Sequence, residues 1–154
     1  MDVPNSFEAG TPPHAVASHE ETLRHGQNAR ALANLAVAER YVALYNTDPE
    51  RFVRECYHAD YQVGAMDLGW YHGVDKFIAV GKAVLKAAPL RKMRVDCMHA
   101  TDTTVVVEAV VTDSSRGVNC ELPFCAALEI RGDKIAIDRT YAEFNKWPGL
   151  DGTV

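Results

Sequence analysis

Residues 40–65 read RYVALYNTDPERFVRECYHADYQVGA, and three structural elements follow one another within them. The stretch opens in the last turns of an amphipathic helix. Asp48-Pro49-Glu50 then supplies an N-cap, a proline at the first helical position, where its missing amide costs nothing, and an acid in the first turn. The short helix that follows turns Phe52, Val53, Cys56 and Tyr57 inward. A strand comes next, with Tyr61, Val63 and Ala65 on one face.

Working outward, the first helix is expected from about Glu21 to Asn46. Val37, Ala38, Tyr41, Val42, Leu44 and Tyr45 make a broad apolar face, opposed by Glu39, Arg40, Ala43 and Asn46. Residues 1–20 are rich in Pro, Gly, Ser and Glu without periodicity, which predicts a mobile arm; residues 21–154 then form one domain. Downstream, Val74, Phe77, Ile78, Gly81, Val84, Leu85 and Ala88 recur at helical spacing until Pro89 stops them. That unbroken stripe predicts a third helix facing a sheet.

Everything after Pro89 is strand-like. Arg91 to Ala100 alternates Met93, Val95, Cys97 and His99 against Arg94, Asp96 and Met98. Thr103 to Thr112 is dense in β-branched residues, and a turn cluster follows at residues 113–117. Val118 to Arg131 and Lys134 to Phe144 flank Gly132-Asp133, a two-residue hairpin turn. The fold class is therefore α+β: three N-terminal helices packed on a strongly curved antiparallel sheet of four to six strands.

The last hairpin bears on function. With Gly132-Asp133 as the turn, Ala127 is expected opposite Asp138 and Cys125 opposite Thr140. Ala136, Asp138, Thr140 and Ala142 share that face, and small, partly polar side chains leave room for a ligand pocket. The same face would otherwise meet solvent or be filled by helix side chains.

Composition removes several function classes. The chain has 154 residues, 47% of them apolar, and a net charge of −5, so it carries no basic footprint for nucleic acid or an anionic membrane. No apolar run approaches the roughly 20 residues that span a bilayer, and the opening MDVPNSFEAGTPPH has no signal-peptide core; a cytoplasmic location is expected. The four cysteines form no CxxC pair, and the six histidines fit no zinc spacing, so no metal and no disulfide frame are expected. No glycine-rich phosphate loop is present, and no organic cofactor is implied.

The order of these elements, with Tyr41 on the first helix, Tyr57 at the end of the second, Gly73 opening the third and the ending DRTYAEFNKWPGL, resembles the nuclear transport factor 2-like superfamily. The likeness covers roughly residues 28–149 and is nearest to the ketosteroid isomerase-like, SnoaL-like and limonene-epoxide-hydrolase-like group. It implies a sheet wrapped around a deep apolar pocket, a homodimer built on the outer sheet face, and a small apolar ligand. It also implies departures. The isomerases' phenolic donor falls on Tyr41 and its supporting tyrosine on Tyr57, but their catalytic base falls on Ala65 and their protonated acid on Cys125 or Ala126. The epoxide hydrolases' tyrosine falls on Tyr61, while their asparagine, arginine and two acids fall on Val63, Ala109, Val111 and Thr140. Neither established mechanism can run without its carboxylates.

Two carboxylates remain in the pocket-facing phase, Asp138 and Asp67, and desolvation there would raise their proton affinity into the range of acid/base work. Asp67 reads equally as a turn residue beside Leu68-Gly69, and Asp138 as a partner for a neighbouring arginine. Tyr41 is placed with these two acids as a catalytic candidate. Tyr61, Val63, Trp70, His72, Ala109, Val111 and Thr140 are placed along the ligand; Trp70 and His72 sit before the third helix, at the pocket mouth implied by the resemblance. The reading is of a small-molecule pocket protein, an isomerase, cyclase, dehydratase or hydrolase acting on a polyketide-, terpenoid- or steroid-like compound. The alternative is a non-catalytic ligand-binding or dimerisation module of the same fold.

Overall fold

The computed structural model describes residues 29–65, 69–116 and 120–150. The expected arm and the first turns of the predicted first helix lie outside these residues. Helix α1 runs Ala29–Tyr45, α2 Pro49–Cys56 and α3 Val74–Ala87. The strands are β1 Tyr57–Ala65, β2 Gly69–Tyr71, β3 Arg91–Ala100, β4 Thr104–Asp113, β5 Cys120–Arg131 and β6 Lys134–Tyr141. The six strands form one sheet in the order β2-β1-β6-β5-β4-β3, and the α+β class stands.

Local chemistry accounts for the helix boundaries. The Asp48 carboxylate accepts from the amides of Glu50 and Arg51, each at 3.0 Å, which contributes about 1 kcal/mol. Just past the end of α1, the Asn46 side chain exchanges two hydrogen bonds with the Met93 backbone, at 2.6 and 3.0 Å. Asn34 donates to the Thr101 carbonyl at 2.9 Å. These two asparagines fasten α1 along the edge strand β3. Between them Val37, Ala38, Tyr41 and Leu44 bury against a core that includes Val105, Val107 and Val111 of β4. Each fully buried valine contributes about 1.5–3 kcal/mol.

The sheet corrects three sequence expectations. It is mixed rather than wholly antiparallel, because β1 lies parallel to β6. The intervening α3 and the β3–β5 meander supply the long crossover that a parallel pair requires. Second, the alternation along β3 breaks at a bulge between Val95 and Cys97. Beyond it Met98 and Ala100, not Cys97 and His99, join the core face. Third, the two-residue turn is present, with Arg131 opposite Lys134, but a bulge at Ala136 moves the register by one residue. Leu128 therefore pairs with Asp138 and Ala126 with Thr140, in place of Ala127 and Cys125. The inward face of β5 carries Leu122, Phe124, Ala126, Leu128 and Ile130, a filled core rather than a small-residue surface.

The third helix behaves differently at its two ends of the stripe. Phe77 reaches the sheet, with ring centroids 5.2 Å from Tyr57 and 5.4 Å from Tyr61. One turn on, α3 comes down on α2 instead: a Cβ at Gly81 would stand 3.1 Å from Pro49 Cβ, so the missing side chain sets the approach. The C-terminal tail closes over the same helix, where Gly149 takes φ +91° and a Cβ there would meet the Val84 carbonyl at 2.6 Å. Helix, tail and sheet thus bound a space that none of them fills.

Candidate active site

That space is an apolar chamber of about 130 Å³, walled by α1 (Tyr41, Tyr45), α2 (Phe52, Val53), α3 (Phe77, Val80), β1, β6 and the tail residues Phe144, Trp147 and Leu150. A second chamber of about 320 Å³ adjoins it toward Tyr61, Tyr71 and His72. The two share Val63, Ala65, Phe77, Val80, Phe144 and Leu150 as walls.

Among the described residues, one carboxylate stands at the wall of the first chamber. Asp138 is 2% exposed, and both of its oxygens are held: Tyr57 donates to Oδ2 at 2.6 Å and Thr140 donates to Oδ1 at 2.7 Å. The Ala136 bulge turns Asp138 and Thr140 toward the helices, and Tyr57, the first residue of β1, meets them from the strand alongside. Desolvation pushes the Asp138 carboxyl above its ordinary range, and the hydrogen bonds from Tyr57 and Thr140 counter only part of that push. Burial, reinforced by the Asp138 charge, holds the phenols of Tyr41 and Tyr57 well above their ordinary value, so both stay protonated donors. A carboxylate with its geometry fixed by two hydroxyls and a raised proton affinity can take up or deliver a proton inside an apolar space. Rings surround it: Phe52 and Phe77 lie 5.4 and 5.2 Å from the Tyr57 ring.

The structure brings together some of the residues singled out in the sequence and separates others. Asp138, Thr140, Tyr41 and Val63 line the first chamber. Tyr61 and His72 line the second, and the Tyr61 hydroxyl donates to the Gly73 carbonyl at 2.9 Å. Ala109 and Val111 are buried within the core and line neither chamber. Trp70 is 54% exposed, and its ring covers Gly64, whose face of β1 is the one opposite Val63 and Ala65; it lies on the outer side of the sheet. Asp67 falls outside the described residues. Among the described residues, no cluster of three or more metal-ligating side chains occurs and no helix is long and apolar enough to cross a membrane.

Tyr57 and Arg91 line the chamber without having been named as site candidates, although the resemblance put a supporting tyrosine on Tyr57. Tyr57 is hydrogen-bonded to Asp138, a contact that joins positions far apart in the chain and depends on the parallel β1–β6 pairing. Arg91, 5% exposed, opens β3 and lines the first chamber. Its signal was present: Arg91 has the parity of Met93, and the structure buries both.

A helix-walled pocket on a mixed sheet with this strand order defines a class of small α+β pocket proteins, and comparison gives the family. The SnoaL-like domain model matches residues 38–137. The chain belongs to the SnoaL-like family. No curated protein matches it in sequence. Among solved structures it is similar to a Jannaschia sp. CCS1 protein assigned as a SnoaL-like polyketide cyclase, at 14% identity over 77% of this chain and 90% of that one, with a TM-score of 0.67. It is also similar to a Catenulispora acidiphila DSM 44928 protein with a ketosteroid isomerase-like fold, in complex with trimethylamine, at 16% identity, 68% and 83% coverage and a TM-score of 0.60. A nuclear transport factor 2-like protein from Anabaena variabilis ATCC 29413 matches at 18% identity, 73% and 89% coverage and a TM-score of 0.61. At these identities the likeness speaks for the fold.

Proposed function

We propose that this protein is a cofactor-independent enzyme that moves protons on a small, largely apolar cyclic substrate held in the two-chamber pocket. Isomerisation, cyclisation, dehydration and cofactor-free hydrolysis all fit that description. The observation that carries the reading is Asp138: a buried carboxylate at the chamber wall, with both oxygens fixed and its proton affinity raised. Asp138 serves as the acid/base. Tyr41 serves as the donor that polarises a substrate carbonyl, Tyr57 and Thr140 position the acid, and Tyr61, Val63 and His72 shape the chamber beyond. Positioned acid/base assistance gives typically ~10²- to 10⁴-fold in rate.

The working form is read as a cytoplasmic homodimer joined through the outer sheet face. Support for that face comes from Val106, Ala127 and Ile137 on its strands and from Trp70 and Tyr141, 54% and 45% exposed. A light-scattering mass near 17 kDa at micromolar concentration refutes the dimer.

The test of catalysis is α-proton exchange. A panel of cyclic ketones, enones and β-diketones is incubated with the protein in D₂O and followed by NMR. Exchange should be accelerated for at least one member and fall by about 10²- to 10⁴-fold in Asp138→Asn. Binding without exchange above the Asp138→Asn background, across the whole panel, moves the protein to the non-catalytic binding module.

A further inference from the structure

Arg91 is a buried cation, 5% exposed. Its Nε and Nη1 are enclosed and meet no hydrogen-bond acceptor, and no ion pair joins it to a carboxylate among the described residues. Asp113 stands opposite it in the β3–β4 register, but Asp113 Oδ1 already accepts from the Ser115 amide at 3.0 Å and its hydroxyl at 2.5 Å. The contact that Arg91 does make is with the Tyr45 ring, whose centroid lies 4.7 Å from Cζ. That ring covers one flat face of the guanidinium, which offsets part of the rise that burial gives the Tyr45 phenol, and Nε and Nη1 are left without an acceptor. Tyr45 is itself fixed by the indole of Trp147, which donates to its hydroxyl at 3.1 Å. Unpaired donors on a buried charge are costly, and Arg91 lines the first chamber.

We infer that Arg91 is the anchor for a carboxylate on the ligand, so that the substrate is an apolar ring system carrying one acidic group. The inference rests on reading the chamber as a ligand site and names the charge of what enters it. A planar guanidinium edge matches a carboxylate, and among the described residues Arg91 is the one cation lining the first chamber, which suits a single negative charge better than a phosphate dianion. Asp138 lines the same chamber. An acid anchored at Arg91 therefore leaves its apolar portion along the wall where the proton-transfer groups are held, and a second, adjoining chamber receives whatever extends past Phe77 and Val80.

Cinnamate and cinnamyl alcohol, which differ only in that acidic group, test this by NMR titration of the full chain. In the wild type cinnamate should bind about 10- to 100-fold tighter than the alcohol, the range of a charge-assisted hydrogen-bonded pair, and the Arg91 Nε–H resonance should move with cinnamate alone. The preference should fall to within about twofold in Arg91→Met and be partly kept in Arg91→Lys, which retains the charge. Equal wild-type affinities, or a preference unchanged in Arg91→Met, overturn the anchor while the pocket reading stands. Binding of neither compound overturns both. The wild-type comparison and the resonance decide the matter even where Arg91→Met does not fold.

Discussion

Replacing Tyr57 with phenylalanine removes one oxygen and little else. The ring stays packed against Phe52, Tyr61 and Phe77, at centroid distances of 5.4, 5.4 and 5.2 Å. What is lost is the 2.6 Å hydrogen bond to Asp138 Oδ2, and the group left behind is a buried carboxylate with only Thr140 still donating. A hydrogen bond to a charged group contributes about 1.5–3 kcal/mol, and one between neutral groups about 0.5–1.5 kcal/mol. The cost must therefore depend on pH. Because burial raises the folded-state proton affinity of Asp138 above its unfolded value, the stability tied to its protonation is full below the ordinary carboxyl range. It is lost as pH rises through the raised folded value. Tyr57 favours the ionised form and opposes that loss, so Tyr57→Phe should cost little at acidic pH and the full ~1.5–3 kcal/mol once Asp138 is ionised. At 2–4 °C per kcal/mol for a chain of this size, the melting temperature should drop by roughly 3–12 °C at the alkaline end. Urea unfolding from pH 4 to 9, repeated in the Asp138→Asn background, isolates the pair. There the pH dependence should flatten, and Asp138→Asn should gain on the wild type as pH rises. A loss under about 0.5 kcal/mol at every pH, or the same loss in both backgrounds, refutes the Tyr57–Asp138 contact and with it the argument for a fixed acid.

Gly149→Ala should cost at least about 2 kcal/mol, since it forces a side chain into positive φ and against the Val84 carbonyl; an unchanged thermal midpoint refutes the docking of the tail that closes the chamber. Cys56 is fully buried, and desolvation pushes its thiol up to about 11, so in the native protein it should react with a thiol reagent at pH 8 only as fast as the chain unfolds. Labelling of Cys56 in the native protein at the rate of the unfolded chain contradicts that environment.

The sequence alone determined the elements and their class. Asp48-Pro49-Glu50 wrote the start of α2, Val74 to Ala88 wrote α3, and Gly132-Asp133 wrote the last hairpin, because caps, helical periodicity and turn chemistry are local and each is read within a few residues. The family likeness was legible for the same reason, being carried by the order of those elements. The candidate site was legible only in part. Asp138 and Thr140 were found by alternation, yet their cross-strand neighbours were misplaced by one residue, because a single extra residue at Ala136 reverses every face beyond it and alternation cannot register an insertion. Ala109 and Val111 were placed along a ligand by transfer from relatives and sit instead in the core, while Trp70, read as pocket cover, lies over Gly64 on the far side of the sheet. The hold of Tyr57 on Asp138 joins residues 81 positions apart through a parallel pairing that no short-range pattern encodes. That Arg91 Nε and Nη1 are enclosed without an acceptor is a property of everything packed around them and of no residue beside Arg91 in the chain. Local order is set by bonds and torsions between near neighbours; which groups share a cavity, and at what cost in solvation, is set by the packing of distant segments, and here only the tertiary structure decided it.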